Sequence, residues 1–118
     1  MTKQQAGQAG QQAAEEFLLQ KGLNVLARNY RVRSGEVDLI VRDGVYVVFV
    51  EVKFRSGVDY GLPREAVGGA KQKKIIDTAM HFLHKHELAE SDIRFDVVEV
   101  LEHGGQLYVS HIEDAFWA

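Results

Sequence analysis

A chain of 118 residues, 46% hydrophobic and 26% charged, has the make-up of one globular domain spanning 1–118 and is too short for two. It contains no cysteine, which excludes disulfides, thiol nucleophiles, iron–sulfur clusters and cysteine-based zinc sites and suits a cytoplasmic protein. The longest apolar run, Val45 to Val50, falls far short of the roughly 20 residues of a membrane span, so no membrane partner is expected. Met1 to Gln5 leads into Gln, Ala and Gly without an apolar signal core, so no export signal is expected either. The net charge of −3 hides an asymmetry. Residues 1–85 carry 13 Lys and Arg against nine Asp and Glu, whereas 86–118 carry one against eight. The larger, basic part is therefore the one suited to a polyanion.

In chain order, a helix is predicted from Thr2 to Lys21. Thr2 and Gln5 form a capping-box pair, and Gly22 is the stop. Ala6, Gly10, Ala13, Ala14, Phe17 and Leu18 fall on its core face, with Gln11 and Glu15 together on another. Three strands follow at Val25–Arg31, Gly35–Val41 and Val45–Arg55, rich in β-branched and aromatic residues. Asp43-Gly44 is the expected two-residue hairpin turn. A loop from Ser56 to Pro63 leads to a helix from Arg64 to His86, striped by Val67, Ile75, Ala79, Phe82 and Leu83. Two strands, Ile93–Leu101 and Leu107–Ile112, close the chain. The order α-β-β-β-α-β-β predicts an α/β domain with a central mixed sheet flanked by helices.

The segment Val48-Phe49-Val50-Glu51-Val52-Lys53-Phe54 sets a carboxylate and an ammonium in a strand that is otherwise core-like. That costs desolvation unless both groups find partners, and such departures mark functional sites. Alternation puts Glu51, Lys53 and Arg55 on one face with Val47 and Phe49. With Asp43-Gly44 as the turn, Asp38 falls opposite Phe49 and Glu36 opposite Glu51. Asp38 then shares the face of Glu51, diagonal to it and roughly 6–8 Å away. Two carboxylates, an adjacent ammonium and the Val52 carbonyl suit Mg²⁺ acting on a phosphodiester. Lys53 would orient water or stabilise transition-state charge. A structural Glu–Lys pair on a half-exposed strand accounts for the same pattern.

Asp38, twelve intervening residues and Glu51-Val52-Lys53 resemble the PD-(D/E)xK nuclease motif. The wider pattern is similar to the YraN family of small bacterial proteins, over nearly the whole chain. It comprises Arg28-Asn29-Tyr30-Arg31, Gly35 to Ile40, Val48 to Arg55, Lys71-Gln72-Lys73-Lys74, Arg94 to Val98 and Ala115-Phe116. The resemblance implies a restriction-endonuclease-like core and nucleic-acid binding. It also implies Mg²⁺ or Mn²⁺ at Asp38 and Glu51, with Lys53 as the catalytic lysine. Related resolvases carry a first-helix Glu where this chain has Gln11, which removes a charge that Glu15 or Glu36 would have to supply. They also act as dimers, so a homodimer is expected. Two functions follow from the resemblance: a metal-dependent nuclease acting on DNA, including branched or structured DNA, and a nucleic-acid-binding module that kept the fold without the chemistry.

Arg28, Arg31, Arg33, Arg55, Arg64, Lys71 and Lys74 are candidate phosphate contacts, Lys71 and Lys74 sharing a helix face. Clusters of this kind also occur as ordinary solvated surface. His81, His84 and His86 read as helix-end residues complementing the dipole rather than as metal ligands. His103 and His111 read as turn and strand residues. Phe116 and Trp117 read as a tail docked on the core or as a dimer contact.

Overall fold

The computed structural model describes residues 2–56 and 67–118. Seven elements run α1 (Lys3–Gln20), β1 (Asn24–Val32), β2 (Gly35–Asp43), β3 (Tyr46–Ser56), α2 (Gly69–Lys85), β4 (Asp92–His103) and β5 (Gln106–Phe116). The five strands form one sheet in sequence order. β3 and β4 are parallel and every other pair is antiparallel, so the sheet is mixed. The expected α/β architecture is the one observed. Among the described residues no helix is long and apolar enough to cross a membrane.

Each helix covers one face of the sheet. Ala14 and Leu18 of α1 pack on Leu39, Val41, Val48, Val50, Val98 and Val100. Ile75, Ala79, Phe82 and Leu83 of α2 pack on Val37, Ile40, Val47, Phe49, Phe95 and Val97. β3 is therefore buried on both faces, which explains its unbroken apolar run before Glu51. Two glycines let the helices lie close. A Cβ on Gly10 would stand 2.8 Å from the Phe54 ring, and one on Gly35 would stand 2.9 Å from Thr78 Oγ1 and 3.1 Å from the Lys74 carbonyl. Gly10 thus seats α1 against the end of β3, and Gly35 seats the first turns of α2 against β2.

The helix signals of α1 behave as read. Thr2 is the N-cap, its hydroxyl accepts from the Gln5 N–H, and the Gln5 side chain accepts from the Thr2 N–H. Gly22, at φ +94°, takes the left-handed turn after the C-cap. α2 opens at Gly69, later than the expected Arg64. Val67 and Gly68 are extended or non-helical, while Arg64 and the expected Ser56–Pro63 loop beyond Ser56 lie outside the described residues.

The β2–β3 turn is also displaced. Asp43 pairs with Tyr46, so the two central residues are Gly44 and Val45 rather than Asp43 and Gly44. Gly44 adopts φ +60° at the first central position, which a type II′ turn reserves for glycine. Ile40, not Asp38, therefore lies opposite Phe49. The slip is an even number of residues, so the assignment of faces along β3 survives it.

Candidate active site

β2 and β3 stop pairing after the Leu39–Val50 rung. Past that point the strands fork, and a side chain takes the place of the next backbone bond: the Val52 N–H donates to Asp38 Oδ2 at 2.8 Å. Asp38 does not follow simple alternation. Val37 packs under α2 and Leu39 under α1, although both are odd-numbered residues of one strand. In β1 the change of face comes at Asn29, whose φ of +49° is left-handed; Arg28 pairs with Glu15 of α1, whereas Tyr30 packs on Phe82 of α2. Both strands rotate at this point, and the Asp38 carboxylate bonds in the sheet plane, into the fork.

Glu51 reaches the same place from β3. Its carboxylate is buried, with Lys71 Nζ at 3.2 Å and Lys53 Nζ at 3.7 Å from Oε2. Lys53 comes from the same strand, two residues on. Lys71 comes from the first turn of α2, which Gly35 holds close. Burial first, and then repulsion from Glu51, push the Asp38 carboxyl up to about 7; hydrogen bonding with Glu51 and the charge of Glu36 add to this, and the Val52 N–H opposes it. The fork is thus short of positive charge at Asp38 in spite of two lysines at Glu51.

Within an extended strand a residue's N–H and C=O project from the same edge. Because the Val52 N–H points at Asp38, its carbonyl also borders the fork. The hard oxygen donors available there are Asp38, Glu51 and the Val52 carbonyl. Among the described residues no group of three His, Cys, Asp or Glu side chains could hold a metal ion by itself.

The accessory candidates are engaged in different ways. Gln11 Nε2 donates to the Asp38 carbonyl at 3.4 Å, so it lies beside the fork. Glu15 is held by Arg28 through two 2.7 Å bonds, which keep its carboxyl below the usual range. Glu36 takes Arg31 Nε at 3.0 Å and Nη2 at 2.7 Å. Neither glutamate replaces the missing charge at Gln11 while its arginine stays in place.

Four of the expected phosphate contacts are ion-paired: Arg28 and Arg31 as above, Lys71 with Glu51, and Arg55 with Glu99 at 2.6 Å. Arg33 and Lys74 are exposed, and Arg64 lies outside the described residues. Lys53 and Lys71 nonetheless stand at the fork on its α2 side, through Glu51.

Two arrangements were not apparent from sequence. One is Lys71 on Glu51. The other is a buried network around Asp96, which accepts from Arg94 Nε at 2.9 Å, from the Asp114 N–H at 2.9 Å and contacts His111 Nε2 at 2.7 Å. Arg94 also bonds Asp43, and His111 Nδ1 meets Lys21 Nζ at 2.8 Å. This network ties β4 and β5 to the far end of α1, away from the fork. His81 and His86 join Tyr30 and Phe82 in an aromatic patch. Phe116 docks on Phe95 as a buried tail, whereas Trp117 is exposed and donates to Asp114.

Residues 10–100 match the model of a family described as "Uncharacterised protein family UPF0102". The chain is 50% identical over 114 residues to a UPF0102 protein of Symbiobacterium thermophilum, spanning 95% of this chain and 96% of that one. It is 48% identical over 118 residues to one of Prosthecochloris aestuarii, spanning 95% and 93%. A relative from Clostridioides difficile is 40% identical over 116 residues, spanning 98% and 100%.

Proposed function

The chain belongs to the UPF0102 (YraN) family, and we propose that it is a divalent-metal-dependent nuclease that hydrolyses phosphodiester bonds in DNA. The observation that carries this is the meeting of Asp38 and Glu51 at the β2–β3 fork, with two lysines on Glu51 and none on Asp38. The donor set fits Mg²⁺ or Mn²⁺. Mg²⁺ keeps several waters and takes one or two carboxylates plus substrate phosphate, so a complete protein cage is not required. Asp38, Glu51 and the Val52 carbonyl would hold it.

The bound ion would polarise the phosphoryl oxygen and make water a better nucleophile. The chain's own groups do the rest. Lys53 orients the attacking water and, with Lys71, balances charge that develops on the phosphoryl oxygens. Lys71 also holds the Glu51 carboxylate in place at the fork. Lys74 and Arg55 favour the phosphate backbone, which positions a duplex without reading its sequence. Two copies of so small a domain would clamp a duplex better than one, and light scattering of the purified protein reads that state directly.

A second reading is favoured by one observation. Gln11 stands where a third carboxylate would strengthen the site, and Glu15 and Glu36 are each tied to an arginine. On that reading the protein binds nucleic acid without cleaving it. Calorimetric titration with Mg²⁺ and Mn²⁺, with and without DNA, on wild type and Asp38→Ala separates the two. Metal binding lost in Asp38→Ala, together with cleavage of nicked, flapped or four-way DNA lost in Asp38→Ala and Glu51→Ala, is the expected result. Cleavage that persists in both variants refutes the active site, and salt-dependent binding with no cleavage in either metal leaves the binding module.

A further inference from the structure

On the α1 side the fork opens into a cleft of about 890 Å³, inside the roughly 300–1,000 Å³ range of small-ligand sites. One wall is α1, where Gln4, Gln8, Gln11 and Gln12 fall at helical spacing on one side and all line the cleft. The opposite wall includes Asn29, Phe54 and Asp38. The lining is thus rich in carboxamides, each able to donate and to accept, beside one aromatic ring. Its charge is wrong for phosphate: the cation that lines it, Arg31, is held by Glu36, and Glu15, Glu16 and Asp38 are acidic. The lysines lie across the sheet, on the α2 side, where Lys71 and Lys53 meet Glu51.

A nucleotide placed at the fork therefore meets two unlike surroundings, cationic for its phosphate and amide-lined for its neutral part. We propose that the cleft receives an unstacked nucleobase, so that the preferred substrates carry unpaired nucleotides beside the phosphate at the fork; this rests on the nuclease reading above. Carboxamides match the donor and acceptor edges of bases, and Phe54 offers a stacking partner. A base inside a continuous helix is stacked and paired, and entering the cleft would cost its extrusion, whereas a flap, gap or junction supplies a base already free of that cost.

Gly7 provides a clean test. It lines the cleft, and a Cβ built on it meets nothing within 4 Å, so Gly7→Leu starts into open space and narrows the cleft. Binding is measured in EDTA with duplexes that carry 2-aminopurine either fully paired or in a one-nucleotide gap strand. Wild type should bind the unpaired form roughly tenfold more tightly, the effect of one stacked, hydrogen-bonded base, with a change in 2-aminopurine emission. Gly7→Leu and Gln8→Leu should remove that preference and the emission change, while affinity for continuous duplex stays within about twofold. Equal affinity of wild type for the two forms, or a preference that survives Gly7→Leu, overturns the proposal. Cleavage is followed separately with Mg²⁺ and Mn²⁺. A preference without cleavage leaves the cleft's occupant standing and removes the catalytic reading; cleavage without a preference does the reverse.

Discussion

Replacing Asp38 by Asn should make the metal-free protein more stable, not less. The Asn carboxamide keeps an oxygen for the Val52 N–H and removes the charge that burial and Glu51 oppose. The size of the effect follows from the carboxyl's rise from 3.8 to about 7. Three units at about 1.4 kcal/mol each set a ceiling of about 4 kcal/mol, and solvent reaching a half-buried group reduces this to about 2 kcal/mol. The pH dependence has a definite sign. Between about pH 4 and pH 7 the folded protein holds a proton that the unfolded chain has lost, so wild-type stability falls as pH rises through that window. The advantage of Asp38→Asn is therefore small near pH 4 and complete at pH 8. Urea denaturation at both pH values reads it, and a thermal shift of roughly 10 °C at pH 8 accompanies it. Millimolar Mn²⁺ should then stabilise wild type and not the variant. Equal stability at pH 8, or a less stable variant, would refute the account of a charge-strained fork.

Gln11→Glu restores a third carboxylate beside Asp38 and should tighten Mg²⁺ or Mn²⁺ binding roughly tenfold by calorimetry, at some cost in metal-free stability. Asp96 behaves oppositely to Asp38. Burial alone would raise its pKa, but bonds from His111, Arg94 and the Asp114 N–H more than offset that and hold it low. Its contribution is present above about pH 4 and is lost as pH falls through the folded value. Asp96→Ala should cost about 3 kcal/mol at pH 7 by removing the buried acceptor shared by Arg94, His111 and the Asp114 N–H, measured by urea denaturation, and should flatten the acid limb of the stability profile.

What was legible in the sequence was local chemistry. The Thr2–Gln5 box and the Gly22 stop depend on neighbours a few residues away. The Asp43-Gly44 turn was misplaced because either centring leaves Gly44 in a position that favours positive φ. The error was even in register, so the faces of β3 remained right while the partner of Phe49 did not. The direction of Asp38 was not readable in the same way. It depends on a rotation that β1 makes at Asn29 and on the loss of pairing after Leu39, and alternation assumes neither. Lys71 looked like a surface phosphate contact because nothing local joins it to Glu51; the contact comes from packing α2 against Gly35. His111 was read simply as a strand residue for the same reason, since nothing local joins it to Asp96.

The placement of cations around the fork is uneven, and the unevenness carries chemical meaning. Arg28 and Arg31 neutralise Glu15 and Glu36, so of the four carboxylates weighed for the metal site only the inner pair is left. Within that pair both lysines attend Glu51, and among the described residues no cation stands within ion-pair distance of Asp38. A carboxylate so placed has two ways to relieve its charge: a proton, held up to about 7, or a divalent ion shared with Glu51. A third lysine would have stabilised the fold more simply and left nothing for a metal to do. The opposition that burial and Glu51 present to the Asp38 charge is thus the same free energy that would favour an ion shared between the two carboxylates.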